Sequence, residues 1–146
     1  MQSSVNPYLK TRIMTASAEE LRLMLYDGAI RFCTQAQTAL EGGDIETCYS
    51  GLMRAQKIVL ELSTSLNHKI DPELCERLSA LYTYIYRLLV DANMHRRVDP
   101  IKEALKLLQY ERDTWQMLIR KLAEDSGRTA NLNTQQTAIS SLSQSA

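Results

Sequence analysis

The stretch Asp44–Leu66, DIETCYSGLMRAQKIVLELSTSL, decides the fold. Its residues Ile45, Cys48, Leu52, Ala55, Val59, Leu62 and Leu66 recur at alternating spacings of three and four. At ~100° per residue that spacing keeps them on one side of an α-helix, and no period-two alternation competes with it. Gly42-Gly43 ends the preceding element, and Asp44 stands at the N-cap, where its carboxylate accepts from otherwise unpaired backbone amides. A helix with one apolar stripe has to bury that stripe against something. The rest of the chain therefore has to supply matching stripes.

It supplies three. Upstream, Ser17-Ala18-Glu19-Glu20 reads as a capping box that opens a helix running to about Glu41. Downstream, Asp71-Pro72 pairs an N-cap with proline at the first helical position, and Asp99-Pro100 repeats the signal. The third helix runs to about Met94 with a stripe of Leu74, Leu78, Leu81, Ile85, Leu88 and Ala92. The fourth runs to about Glu124 with Ile101, Leu105, Leu108, Trp115, Leu118 and Leu122. Short connections force neighbours antiparallel, so the class is all-α, an antiparallel up-down four-helix bundle. Residues 1–125 are expected to form the bundle domain, with a leader over 1–16.

From Ser126 the character changes. Thirteen of the last 21 residues are Ser, Thr, Asn or Gln, and the larger aliphatics are only Leu132, Ile139 and Leu142. Such a segment buries too little to offset its ordering entropy, so 126–146 is expected to be a disordered polar tail.

Composition narrows the function. The 146 residues are 45% hydrophobic and 23% charged, with 17 basic against 17 acidic side chains. No segment is strongly basic, which argues against nucleic-acid binding. No apolar run is long enough to insert in a membrane, and Met1 to Tyr8 lacks the pattern of a secretion signal, so the protein is expected in the cytoplasm. Cys33, Cys48 and Cys75 are odd in number, widely spaced and set in helical apolar patterns, as small buried hydrophobes would be. His68 and His95 lack the Glu-x-x-His spacing of a metal-holding bundle, and no glycine-rich phosphate loop or activated nucleophile occurs. No enzyme and no cofactor or metal site is read here.

What the sequence has in excess is apolar surface. Beside its stripe the third helix carries Cys75, Tyr82, Tyr86 and Leu89 on one shoulder and Tyr84 on the other. The second carries Tyr49, Met53 and Leu60, with Ile58 opposite. The first has apolar residues on nearly opposed faces, Leu21, Met24, Leu25, Gly28 and Phe32 against Leu23, Tyr26, Ile30 and Cys33. Wide helix contacts account for part of this, and a groove for an amphipathic partner accounts for it equally well. Seven Tyr and six Met against one Phe favour adaptable, amphipathic contacts. The expected groove residues are Tyr49, Met53, Leu60, Tyr82, Tyr86 and Leu89. The leader adds Tyr8, Leu9, Ile13 and Met14, large apolar residues that are expected to pack back across the bundle, with Tyr8 as anchor.

Several of these motifs occur together in one family. Ile13 to Leu21, IMTASAEEL, followed by Met24-Leu25-Tyr26-Asp27-Gly28-Ala29, resembles the first-helix entry of the flagellin-specific export chaperones, the FliS family. Leu78 to Tyr84, followed by Leu88, Leu89, Ala92 and Asn93, is similar to that family's third-helix signature, and Trp115 falls at its fourth-helix tryptophan. Ala18 stands where the family usually has proline, which removes the pre-set φ at the helix start. The resemblance implies a cytoplasmic helical bundle that binds the C-terminal segment of flagellin, prevents premature polymerisation and delivers the subunit to the flagellar type III export gate. It also implies roles for Tyr8 in covering the groove and in recognition of the loaded chaperone by the gate. An anti-sigma factor or a flagellar co-chaperone is a further implied partner. A cytoplasmic regulatory bundle that sequesters an anti-sigma or secretion-control protein would use the same grooves.

Overall fold

The computed structural model describes residue 7, residues 17–69 and residues 71–144. Four helices make up the described chain: α1 Ala18–Glu41, α2 Ile45–Thr64, α3 Pro72–His95 and α4 Asp99–Gln144, with no strand among the described residues. Three of the four N-caps are those the sequence announces; the fourth is not, because α4 begins on Asp99 itself and the Val98 carbonyl accepts from the Lys102 amide at 3.1 Å. Ser17 accepts from the Glu20 amide at 3.2 Å, Asp44 from Thr47 at 3.1 Å and Asp71 from Leu74 at 3.1 Å. Gly43 takes the positive φ of 80° that the tight α1–α2 turn requires.

Side-chain contacts fix the directions. Arg22, early in α1, donates to Ser65 and to the Leu62 carbonyl at the end of α2. Gly51, early in α2, lies against Phe32 and Ala36 late in α1. The two helices are therefore antiparallel, and they approach closely: a Cβ on Gly51 would sit 3.0 Å from the Phe32 carbonyl oxygen. A row of small residues, Ala29, Cys33 and Ala36, makes that approach possible. Arg112 of α4 donates to Asp27 of α1 at 2.7 Å, and the Tyr84 hydroxyl of α3 donates to Glu103 of α4.

The core is the meeting of four stripes. Tyr26, Ala29, Cys33 and Ala36 come from α1, and Leu52, Ala55, Val59 and Leu62 from α2. Tyr82, Ile85, Leu89 and Ala92 come from α3, and Ile101, Ala104 and Leu108 from α4. On α2 the buried face is the one its spacing defines from Cys48 to Leu62, while Ile45 at the helix start is exposed. On α3 the face is turned toward the expected shoulder: Leu74 is exposed, Leu78, Leu81 and Leu88 are half-buried, and Cys75, Tyr82 and Leu89 take the interior. Tyrosine is tolerated there because its hydroxyl finds partners (Tyr82 accepts from Arg22 at 2.9 Å and bonds to Tyr26).

The chain divides into two compact units, up to Asp113 and from Thr114. In the second, the segment expected to be disordered is instead helical to Gln144. It contains no proline, its polar residues each cost only some tenths of a kcal/mol in a helix, and one glycine costs ~1 kcal/mol. Its hydroxyls are satisfied along the helix itself: Thr137 donates to the Asn133 carbonyl, Ser141 to Ala138 and Ser143 to Ser140. Within it Leu118, Leu122, Leu132, Ile139 and Leu142 are exposed.

Candidate functional site

On the outer side of the α2–α3 pair, one line of side chains runs down each helix. Tyr49, Met53, Gln56, Leu60 and Ser63 follow steps of four and three along α2, and Tyr86, Val90 and Met94 follow steps of four along α3. Between them lie two cavities. The larger, about 540 Å³, is bordered by Leu60, Ser63, Tyr86, Val90 and Met94. The smaller, about 300 Å³, is bordered by Tyr49, Met53, Gln56, Val90, Asn93 and Met94. Val90 and Met94 border both, so the two form one groove. From Tyr49 to Ser63, at ~1.5 Å per residue, it is about 21 Å long.

Its rims differ. On the α2 side Tyr49 and Leu60 stand 54% and 55% exposed, so large apolar groups continue the groove out to its edge. The α3 rim is polar, with Thr83, Arg87, Asp91 and His95 at intervals of four. Asp91 has His95 Nε2 at 3.8 Å and an Arg97 nitrogen at 3.6 Å. An amphipathic helix laid in this groove would meet apolar floor and rim on one side and hydrogen-bonding groups on the other.

The structure brings five of the six expected groove residues together. Tyr49 and Met53 border the smaller cavity, and Leu60 and Tyr86 the larger. Tyr82 reaches the larger cavity only at its base, being 1% exposed, and is chiefly a core residue. Leu89 is a correction. It is 0% exposed and faces the interior, because the α3 stripe is rotated toward it. Val90, Met94, Gln56 and Asn93 were not foreseen, although extending the line from Tyr86 by successive fours finds Val90 and Met94. The leader residues Tyr8, Leu9, Ile13 and Met14 lie outside the described residues.

Reactive chemistry is sparse. Among the described residues no group of three or more His, Cys, Asp or Glu is placed to hold a metal ion. No described helix is long and apolar enough to cross a membrane. The three cysteines are free and buried, and burial pushes the Cys33 thiol up to about 12. The site is thus a helical bundle's long apolar groove with a half-exposed aromatic edge, a shape that can take one face of an amphipathic helix.

Comparison with known proteins narrows the class. Residues 1–122 match the model of the family described as flagellar protein FliS, and the chain belongs to that family. The flagellar secretion chaperone FliS of Bacillus subtilis is 34% identical over 125 residues, 86% of this chain and 92% of its own length. That of Campylobacter jejuni is 32% identical over 110 residues, 75% of this chain and 86% of its own. The Salmonella typhimurium protein of the same name is 30% identical over 121 residues, 82% of this chain and 90% of its own.

Proposed function

We propose that this chain is a non-catalytic cytoplasmic export chaperone whose α2–α3 groove holds the C-terminal segment of flagellin. By covering that segment it keeps the subunit from polymerising early, and it hands the subunit to the flagellar type III export gate. The observation that carries the reading is the groove, whose one apolar rim and one polar rim suit a helix with one face of each kind. Relatives named as flagellar secretion chaperones support the choice of cargo. In the same reading the leader covers the groove of the unloaded protein, with Tyr8 as anchor beside Leu9, Ile13 and Met14. Removing residues 1–12 is then expected to tighten flagellin binding slightly and to impair export.

The test is titration calorimetry with a peptide of the cognate flagellin C-terminal segment. Truncating an anchor aromatic costs ~2 kcal/mol of binding, about thirtyfold. Tyr86→Ala is expected to show that loss with little change in melting temperature, whereas the core change Leu52→Ala costs ~2–5 kcal/mol of stability. Unchanged affinity in both Tyr86→Ala and Leu60→Asp would sink the reading. Pull-down from motile cells checks the cargo, since flagellin should dominate the bound fraction, and an anti-sigma or secretion-control protein in its place would favour a regulatory bundle.

A further inference from the structure

Two carboxamides face the smaller cavity of the groove from opposite helices, Gln56 of α2 and Asn93 of α3. Gln56 is only 6% exposed, the one polar residue among the buried side chains described. Neither amide makes a hydrogen bond to another described residue. Yet no described side-chain nitrogen or oxygen is both sealed from solvent and without a partner, so the Gln56 amide still touches the cavity. Around it are Tyr49, Met53, Val90 and Met94, of which only the Tyr49 phenol carries a strong hydrogen-bonding group.

This arrangement has a consequence for any occupant. Wherever neither the leader nor cargo fills this part of the groove, water in the cavity satisfies both amides. A helix that fills the groove expels that water, and a buried amide left without a partner costs far more than a made hydrogen bond returns. A purely apolar helix is therefore penalised at this point. One that brings a matching donor and acceptor is not.

We propose that Gln56 and Asn93 form a polar reading point in the groove, which selects cargo helices carrying Asn, Gln, Ser or Thr within their apolar face and fixes their register. The inference rests on the groove being the cargo site. Only an uncharged group suits it, because a charged one would be desolvated beside two neutral amides with no counter-ion in the cavity lining. A single polar position in an otherwise apolar helix contact sets register in the same way between paired helices. The apolar walls then supply affinity, and the amides decide which helix, at which offset, obtains it.

The experiment uses the full chain with the cognate flagellin C-terminal peptide, and a peptide set in which each Asn, Gln, Ser or Thr is changed singly to Ala. Gln56→Met keeps length and volume and removes the amide. It is expected to weaken the parent peptide about five- to thirtyfold, with the melting temperature unchanged or raised, because no intramolecular hydrogen bond is lost. One peptide change should cost a similar factor on the wild-type chain and nothing further on Gln56→Met. Equal or tighter binding of the parent peptide to Gln56→Met overturns the proposal, as does a set in which every change costs the same on both proteins. A melting loss that tracks the affinity loss also overturns it, since Gln56 would then be structural. Leu60→Asp separates the two levels: if it abolishes binding while Gln56→Met does not, the groove stands and the reading point falls. If Leu60→Asp leaves binding intact, the groove reading fails and takes this proposal with it.

Discussion

The phenol oxygens of Tyr26 in α1 and Tyr82 in α3 share a hydrogen bond in the middle of the bundle, with ring centroids 6.4 Å apart and each residue 1% exposed. Arg22 closes the cluster, donating to Tyr82 at 2.9 Å and to the Leu62 carbonyl at 3.0 Å, so three helices are tied through one polar node. Burial first, and then the neighbouring Tyr82, hold the Tyr26 phenol protonated well above its ordinary range.

Removing the Tyr82 hydroxyl orphans that of Tyr26 and takes an acceptor from Arg22, whereas removing the Tyr26 hydroxyl leaves the Tyr82 oxygen its bond from Arg22. Tyr26→Phe or Tyr82→Phe is each expected to cost ~1–3 kcal/mol, and the double change less than the sum, since neither oxygen is then left unpaired. Urea unfolding of the four proteins in the cycle measures this. Strict additivity would show that the two hydroxyls are energetically independent.

Glycines at two helical positions should respond in opposite directions. Gly51 lies 3.0 Å, by its missing Cβ, from a helical backbone carbonyl that has little freedom to move, whereas Gly127 has nothing within 4 Å. Gly51→Val is expected to lose ~1–3 kcal/mol by forcing α1 and α2 apart. Gly127→Ala is expected to gain ~1 kcal/mol of local helix stability, visible as raised helical ellipticity. Thermal melts and circular dichroism of both variants check the contrast.

Glu111 gives the bundle a pH dependence of defined sign. Burial raises its carboxyl, and Arg22 only partly opposes that. A raised folded pKa means stability that is fully present below the unfolded value and is lost as pH rises through the folded one. Glu111→Gln should therefore gain on the wild-type protein between pH 5 and pH 7. Paired urea titrations at the two pH values read the difference, and a gain on the acid side would reverse the assignment.

The thiols should be inert while the bundle is folded. Burial raises Cys33 to about 12, and burial followed by Asp44 raises Cys48. Cys75 is buried, with its sulfur 3.4 Å from the Asn67 carbonyl. Ellman's reagent at pH 8 is expected to leave all three unmodified in the native protein and to titrate all three in denaturant. Fast modification of Cys33 in native protein would contradict the burial that holds it.

The last twenty residues should be dispensable for stability. Their described side chains are exposed throughout. Deleting 127–146 is expected to shift the unfolding free energy by no more than ~0.5 kcal/mol, while lowering helical ellipticity because a helix is lost with it. Unchanged ellipticity would mean this stretch is not helical in solution.

Helix number, direction and the capped starts of α1, α2 and α3 were legible in local chemistry alone. Ser17, Asp44 and Asp71 cap because a short side-chain oxygen can reach an amide three residues on, whatever the rest of the chain does. The α2 stripe was equally legible, because a narrow run at spacings of three and four has only one way to face inward. What the sequence left open was α3, where apolar residues cover too wide an arc for periodicity to choose a face. The tertiary structure chose it, burying Tyr82 and Leu89 and leaving Leu74 outside, because Arg22 and Tyr26 were there to satisfy the Tyr82 hydroxyl. That rotation also decided the groove, by aligning Tyr86, Val90 and Met94 against Met53 and Leu60. Gln56 shows the limit most plainly: by sequence it is an ordinary polar residue on a helix, and only the packing of α2 against α3 makes it a buried amide facing a cavity.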